Sequence, residues 1–338
     1  MSRYSRQELF AGIGTEGQKR IRGSRVVLVG CGALGSVLAE TMTRAGVARL
    51  AVIDRDFVEE SNLQRQVLFD EADARDAVPK AIAAVRKLAG INSDVELVPH
   101  VADLSPADAP TLLAGADLIL DGTDNFETRF LVNDIAVRER IPWVYGACVA
   151  AYGLALAVRP GETPCLRCVL GEPPAPGSGP TCDTAGVVAP IVHVIAGIQA
   201  GEALKLLAGR EADLLPGIVS VDLWAGSFDV MELKGQRPSC PACTEGIFEF
   251  ADRASSSLSA VLCGRDAVQI RPAQRNELSL DDLEARLAAV GEVRRNDYLV
   301  RFRADDAEFV VFEDGRALIK GVASEARARS IYAKYIGG

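Results

Sequence analysis

A glycine-rich turn between an apolar run and a helical pattern is the feature that most constrains this chain. In SRVVLVGCGALGSVLAE, the glycines Gly30, Gly32 and Gly35 match the pattern GxGxxG. Asp54 follows Gly35 by 19 residues and ends the next apolar run, VARLAVID. Such a turn lets the backbone approach a phosphate at a helix start, and the carboxylate can accept hydrogen bonds from a ribose. The stretch predicts a nucleotide-binding βαβ unit, with a tight turn that binds nothing as the simpler alternative.

Apolar runs and helical patterns alternate beyond this turn. Strands are predicted at VELVPHVA, ADLILDGTDN and IPWVYGACV, and helices at DAVPKAIAAVRKLAG and FETRFLVNDIAVRER. A buried helix is predicted from near Pro190 to about Leu207, because proline suits a first helical turn, and two strands in GIVSVDLWAGSFDVMELK. This alternation predicts the α/β class, with a doubly wound Rossmann-like sheet that is mostly parallel.

Two domains are predicted from a serine-rich stretch, DRASSSLSA. The first would span residues 1–250, and within it GEPPAPGSGPTCD predicts a mobile loop. Residues 258–338 would form a small C-terminal α/β domain. It would contain a strand, the helix SLDDLEARLAAVG, the strands DYLVRFRA and EFVVFEDGRALIKGV, and a last helix, ARARSIYAKYI.

Composition narrows the class of function. The net charge of −9 argues against a broad nucleic-acid-binding surface. The start, MSRYSRQELFAGIG, lacks a signal-peptide pattern, and the longest apolar stretch is interrupted by His193, Gln199, Glu202 and Lys205. We therefore expect a cytoplasmic protein that does not enter a membrane. In that reducing compartment, paired cysteines favour metal or redox chemistry over disulfides.

The segment after Asp54 indicates that the ligand of this site is a nucleoside triphosphate. In DRDFVEESNLQRQVLF the side chains of Asn62, Arg65 and Gln66 can line a phosphate track, and Lys80 follows. The alternative is a solvated loop. LDGTDN then places Asp121 and Asp124 at the end of a predicted parallel strand, where a carboxylate beside phosphates suggests Mg²⁺. Only two histidines occur, so histidine general-base chemistry is not indicated.

Two Cys-x-x-Cys pairs, in PCLRCVL and SCPACTEG, have the spacing of zinc ligands. Their four cysteines predict a structural Cys₄ zinc site, with two unlinked thiol pairs as the alternative. A redox pair is disfavoured because neither pair is predicted to begin a helix. The members of the proposed site are Cys165, Cys168, Cys240 and Cys243. Of the other cysteines, Cys31, Cys148 and Cys263 are expected to be buried.

Taken together, YSRQ, GCGALGS, IDRDFVEESNLQRQ, DGTDN, CDTAGVVAP and the two cysteine pairs resemble the ThiF/MoeB/HesA family over about residues 3–245. These are bacterial relatives of ubiquitin-activating enzymes. The resemblance implies adenylation of the C-terminal glycine of a small ubiquitin-fold carrier that ends in Gly-Gly, with MgATP consumed and pyrophosphate released. Sulfur would then attack the acyl-adenylate.

The resemblance also implies roles for individual residues. The backbone of Ala33 would meet the nucleotide, Asp54 would hold the ribose, and Asp124 would organise Mg²⁺. Arg6 would reach across a homodimer interface, with a surface arginine on a frayed end as the alternative. Cys182 would relay sulfur or an acyl group, or else be a spectator on a flexible loop. The full nucleotide-contact set comprises Gly30, Gly32, Ala33, Gly35, Asp54, Asp56, Asn62, Arg65, Gln66, Lys80, Asp124 and Asn125.

Several questions stay open at this point. A sulfur donor such as a cysteine desulfurase or a rhodanese is an expected partner, but the carrier and its pathway are not specified. The end, YIGG, could be self-adenylated, although glycines also commonly end helices. Two other functions compete with the carrier adenylyltransferase. One is an NAD(P)-dependent oxidoreductase, and the other is a catalytically silent zinc-containing scaffold for ubiquitin-like proteins.

Overall fold

The computed structural model describes residues 2–174, 181–253, 259–262, 267–272, 278–322 and 324–337. The chain divides into two compact units, Met1–Arg253 and Ala254–Gly338. Most of the predicted serine-rich boundary, residues 175–180 of the predicted mobile loop, Cys263 and the last glycine lie outside the described residues.

The first unit is built on an eight-stranded sheet in the order β3-β2-β1-β4-β5-β6-β7-β8. Strands β1 to β5 are parallel, and β6 to β8 continue the sheet antiparallel. Their bounds are β1 Arg25–Val29, β2 Arg49–Asp54, β3 Glu96–Val101, β4 Leu118–Asp121, β5 Trp143–Val149, β6 Tyr152–Val158, β7 Gly217–Asp222 and β8 Ser227–Glu232. The predicted mostly parallel Rossmann-like sheet is confirmed.

Strand β6 was not predicted from the sequence. It pairs with β5 through Val149 and Tyr152, so only Ala150 and Ala151 form the turn. Ala150 adopts a φ of 52°, a left-handed conformation that glycine or asparagine usually supplies. An alanine pair gives no turn signal, which is why this hairpin could not be recognised.

Helices cover both faces of the sheet, and the sheet divides the core into two clusters. One cluster includes Leu28, Leu38, Met42 and Leu50, and the other includes Trp143. The helices are α1 Ser5–Leu9, α2 Gly14–Ile21, α3 Ala33–Ala45, α4 Glu71–Arg75, α5 Lys80–Ala89, α6 Ala109–Leu112, α7 Phe126–Glu139, α8 Leu166–Leu170, α9 Cys182–Ala185 and α10 Ala189–Ala208, with 3₁₀ turns at Glu60–Asn62 and Glu211–Asp213.

Helix α10 is the buried helix that the sequence predicts, with a proline in its first turn. Among the described residues it is the one helix long and apolar enough to cross a bilayer. However, 56% of its apolar window is buried inside the fold. Its apolar character is therefore explained by packing against the sheet and α3.

The second unit contains a six-stranded antiparallel sheet in the order β11-β12-β13-β14-β10-β9. Its elements are β9 Ser259–Leu262, β10 Ala267–Ile270, α11 Leu280–Leu287, β11 Glu292–Arg295, β12 Leu299–Ala304, β13 Ala307–Phe312, β14 Ala317–Lys320 and α12 Glu325–Tyr335. The single strand predicted in EFVVFEDGRALIKGV is in fact the hairpin β13–β14. Strand β11 was missed because its residues, EVRR, are mostly charged and exposed.

Candidate nucleotide site and cysteine cluster

The glycine turn packs so closely against the loop after β4 that no side chain fits at Gly30 or Gly35. Gly30 has a φ of 85°, and a Cβ added there would lie 2.8 Å from the carbonyl carbon of Gly122. A Cβ on Gly35 or Gly122 would collide with the carbonyl oxygen of Gly30. Gly32 is the N-cap of α3, and Ala33 is its first residue. The start of α3 thus exposes backbone N–H groups at the carboxyl edge of the parallel strands, a suitable place for a phosphate.

Asp54 ends β2 at this same edge and organises the turn. Its Oδ2 accepts a hydrogen bond from Cys31 N at 2.6 Å, and its Oδ1 accepts one from Asp56 N at 2.7 Å. Burial raises the pKa of Asp54, while the charge of Lys80 opposes that rise. Cys31 is fully buried, as the sequence predicts.

Lys80 is the first residue of α5, directly after Pro79, and is almost completely buried. Its Nζ lies 3.4 Å from Oδ2 of Asp56, and its backbone N donates to Asp56 O at 2.9 Å. The helix begins later than the pattern DAVPKAIAAVRKLAG suggests, because the proline precedes it. The structure therefore brings Lys80, Asp56 and Asp54 together.

The SNLQRQ segment brings polar side chains over the turn. Gln66 is buried, and its Nε2 would lie 3.8 Å from a Cβ added to Gly32. Its Oε1 has no hydrogen-bond partner in the described part of the chain. Asn62 is buried too, and its Oδ1 caps the 3₁₀ turn by accepting from Glu59 N at 3.1 Å. Arg65 is half-buried and donates to Ser61 O at 2.9 Å. Of the three, Gln66 points most directly at the glycine turn.

Asp124 and Asn125 follow β4 in a loop held by a buried ion pair. Asp124 is exposed. Asn125 is the N-cap of α7, and its Oδ1 accepts from Thr128 N at 2.9 Å. Because its Oδ1 is engaged in this cap, the predicted contact of Asn125 with the nucleotide would use its amide nitrogen or its backbone.

Arg129 and Gln199 hold this loop and were not among the candidate residues. Arg129 Nε lies 3.3 Å from Asp121 Oδ2, and its Nη2 donates to Thr123 O at 2.6 Å. Gln199, on α10, donates to Asp121 O at 2.8 Å and leaves no room for a Cβ on Gly146. Burial raises the pKa of Asp121, and Arg129 opposes the rise. No local pattern marks these residues, since they act through contacts distant in sequence.

Arg55 and Asp103 were also missed by sequence analysis. Arg55 Nη1 lies 3.4 Å from Asp103 Oδ1, and Arg55 Nε lies 3.9 Å from Asp56 Oδ1. Burial alone would lower the pKa of Arg55, but nearby carboxylates, led by Asp103 and Asp56 and including Asp124, raise it overall. Arg55 directly follows Asp54, the candidate ribose ligand, and this position in the sequence could have marked it as a residue of the site.

Cys182 and Arg6 lie on two short helices. Cys182 begins α9, and its Sγ donates to Cys148 O at 3.2 Å, near the carboxyl end of β5. Cys148 is only half-buried, less than the sequence suggests. Arg6 is exposed on α1. That helix is anchored rather than frayed, because buried Tyr4 accepts a hydrogen bond from Asn92 at 2.9 Å.

The four paired cysteines converge in one cluster. Their ligand atoms all lie within 4.8 Å of one another. The sulfurs of Cys165 and Cys240 are 3.6 Å apart, and those of Cys168 and Cys243 are 3.3 Å apart. Tetrahedral coordination at Zn–S distances of about 2.3 Å places sulfurs about 3.8 Å apart, so this donor set fits zinc. One expectation was wrong, because Cys165 caps α8 and the first pair does begin a helix.

The fold and the residues at its strand ends define an α/β protein with a candidate nucleotide site at the carboxyl edge of a doubly wound sheet. The chain belongs to the ThiF family, whose model matches residues 4–242.

Individual relatives agree with this assignment. The chain is 48% identical over 337 residues, covering 99% of both chains, to a "Sulfur carrier protein ThiS adenylyltransferase" of Bacillus subtilis (strain 168). It is 39% identical over 246 residues, 73% of this chain and 90% of the relative, to a "SAMP-activating enzyme E1" of Haloferax volcanii. A crystal structure of E. coli MccB with MccA-N7isoASN superimposes with a TM-score of 0.63 at 23% identity, covering 72% of this chain and 74% of the other, and supports the fold alone.

Proposed function

We propose that this chain adenylates the C-terminal glycine of a small ubiquitin-fold sulfur-carrier protein of the ThiS type, using ATP and releasing pyrophosphate. The observation that carries the proposal is 48% identity, across 99% of both chains, to a protein of that name. The glycine turn, Asp54 and Lys80 lie at one sheet edge, as such a reaction requires.

The proposed assignments divide the nucleotide between two groups of residues. The start of α3 and the backbone of Ala33 receive phosphates, and Asp54 receives the ribose. The side chains that face the phosphates are Asn62, Arg65, Gln66 and Lys80. The carrier carboxylate is already ionised near pH 7, so it attacks the α-phosphate without a general base. Catalysis then depends on positioning and on neutralising the charge that builds on phosphate oxygens.

The acidic residues of the site fit a divalent cation. Mg²⁺ usually binds one or two carboxylates together with phosphate oxygens and water. Asp124 is exposed at the strand edge, with Asp56 near Lys80. We assign Asp124 as the Mg²⁺ ligand; the ion would supply positive charge beside the phosphates. Asp56 instead orients Lys80.

The four-cysteine cluster is proposed to hold one Zn²⁺ with a structural role. It would tie α8 to the segment after β8, which are distant in sequence. The homodimer, with Arg6 reaching the site of the partner subunit, is proposed on the exposed position of Arg6 and of neighbouring Leu9 and Phe10, which are 73% and 64% exposed. Elemental analysis of the purified protein tests for the zinc ion, and native mass spectrometry tests for the homodimer.

Sulfur transfer completes the proposed reaction. Cys182 would either attack the carrier acyl-adenylate, forming a thioester and releasing AMP, or take persulfide sulfur from a cysteine desulfurase or a rhodanese, whose own cysteine is left as a thiol. A cytoplasmic location is part of the proposal, since the seven described cysteines are free of disulfides and the cytosol keeps thiols reduced.

ATP–pyrophosphate exchange in the presence of a ThiS-type carrier tests the function. We expect carrier-dependent exchange by the wild type, and a loss of at least about 100-fold in Lys80→Ala and Arg65→Ala, because each removes charge stabilisation of the transition state. Lys87→Ala is the matched control, since Lys87 lies on the same helix and pairs with Asp70 and Asp73. Absence of exchange by the wild type, together with uptake of a nicotinamide coenzyme, would instead support the oxidoreductase.

A further inference from the structure

Helix α10 contains a polar side chain at a position where packing alone would favour an apolar one. Gln199 is fully buried, on a helix whose buried residues are mostly alanine, valine, isoleucine and leucine. Its Nε2 donates to Asp121 O at 2.8 Å and to Val144 O at 3.3 Å. Among the described residues, no donor pairs with its Oε1. Burial of an amide with an unsatisfied oxygen costs stability, so packing does not explain why glutamine occupies this position.

The amide of Gln199 joins two strands at the point where their pairing ends. Strands β4 and β5 are paired as far as Leu120 and Val144. There the amide nitrogen of Gln199 donates to one carbonyl of each strand. Gly146 leaves space for the amide, because a Cβ added at Gly146 would lie 2.2 Å from Cδ of Gln199. The glycine and the glutamine together therefore fix the carboxyl end of β4.

The loop after β4 is fixed at two further points. Arg129, buried on α7, donates from Nη2 to Thr123 O at 2.6 Å, and its Nε lies 3.3 Å from Asp121 Oδ2. The other oxygen of that carboxylate, Oδ1, accepts a hydrogen bond from Thr123 N at 2.8 Å. Gln199 thus holds the carbonyl at the start of the loop, and Arg129 holds the carbonyl directly before Asp124. The exposed Asp124 therefore follows a backbone that side chains of two helices keep in place.

We propose that Gln199 is a positioning residue for the divalent cation of the adenylation site, acting through the loop after β4 on Asp124. Side chains that orient a metal ligand commonly contribute about 10- to 100-fold to metal affinity or activity. A carboxylate on a fixed backbone loses less conformational freedom on binding a cation than one on a mobile loop does. The inference rests on the proposed function, in which Asp124 is the Mg²⁺ ligand.

Equilibrium binding of ATP to the full-length protein, measured with saturating Mg²⁺ and with EDTA, tests the proposal. Gln199→Met keeps the length of the side chain without its hydrogen bonds and suits the apolar helix. We expect it to weaken ATP binding about 10-fold in Mg²⁺ and less than about two-fold in EDTA. Gln199→Leu, a second apolar replacement, should behave alike. Asp124→Asn should give the same pattern, and the double variant should lose no more than Asp124→Asn alone, since the glutamine acts through that carboxylate.

A matched control lies on the same helix. Lys205→Met, at a position where the side chain pairs with Glu202, should bind ATP as the wild type does in both conditions. Wild-type affinity of Gln199→Met in Mg²⁺ would overturn the proposal. Equal losses in Mg²⁺ and in EDTA would also overturn it, because the glutamine would then support the glycine turn through Gly122. Failure of the wild type to bind ATP would count against the proposed function itself.

Discussion

Two cysteines near the end of β5 have different environments, although they are neighbours. Cys148 is half-buried, and burial, reinforced by nearby Cys182, raises the pKa of its thiol to about 12. It is therefore protonated near pH 7 and a poor nucleophile. Cys182 begins a separate short helix and touches the β5 backbone through its sulfur. The covalent step is therefore proposed for Cys182 and not for Cys148.

Cys182→Ser should separate the two half-reactions. We expect ATP–pyrophosphate exchange within about two-fold of wild type and a loss of carrier thiocarboxylate formation of at least about 10-fold, because serine cannot replace a sulfur nucleophile. Cys148→Ser is the matched control and should retain both activities. Unchanged sulfur transfer in Cys182→Ser would remove this residue from the reaction.

At the scale of elements, helix α7 links the sheet to the chain that follows the second cysteine pair. Buried Asp134 on α7 accepts hydrogen bonds from Phe250 N at 2.9 Å and Ala251 N at 3.4 Å. Burial nevertheless raises the pKa of Asp134 from 3.8 to about 6. The folded protein thus binds this proton more tightly than the unfolded chain does. The contribution of Asp134 to stability is greatest below about pH 4 and falls as the pH rises toward 6.

Asp134→Asn should remove this pH dependence. Relative to the variant, the free energy of unfolding of the wild type should fall by about 3 kcal/mol between about pH 3 and pH 7. Denaturant unfolding at several pH values measures the difference. Glu127→Gln, at an exposed position on the same helix, should give no comparable trend. A pH-independent difference between wild type and Asp134→Asn would contradict the assignment.

Elements with local signals were predictable, and those that depend on tertiary contacts were not. The turn at Gly30, the strand ending at Asp54 and the buried helix α10 follow from spacing and hydropathy alone. The zinc-type cluster follows from ligand spacing. Strand β6 was hidden by its Ala150 turn, and β11 by its charged residues. Gln199 is one of twenty residues of α10, and nothing in that pattern shows that it reaches Asp121.

At the scale of the whole molecule, the candidate chemistry is confined to one unit. The glycine turn, Lys80, Asp124, Cys182 and the cysteine cluster all lie within Met1–Arg253. The second unit has its own core, which includes stacked Phe302 and Phe309 with ring centroids 4.2 Å apart. A separate core is the usual sign of a unit that can fold by itself.

A chain ending at Arg253 should therefore retain the adenylation step. At saturating carrier concentration we expect a rate of ATP–pyrophosphate exchange within about two-fold of that of the full-length chain. The reason is that all the candidate site residues lie in a unit with its own core. The Michaelis constant for the carrier, measured in the same assay, shows whether the second unit takes part in carrier binding. Loss of exchange by a truncated chain that is folded by circular dichroism would contradict this expectation.

The contact between Gly30, Gly35 and Gly122 limits how this enzyme can be re-engineered. No side chain fits at any of the three positions, because an added Cβ would meet backbone atoms within 3 Å rather than a movable side chain. Libraries that aim to change nucleotide preference should keep these codons fixed. Their diversity is better placed where a side chain and not the backbone meets the turn, as at Gln66 beside Gly32, because a replacement there leaves the backbone intact.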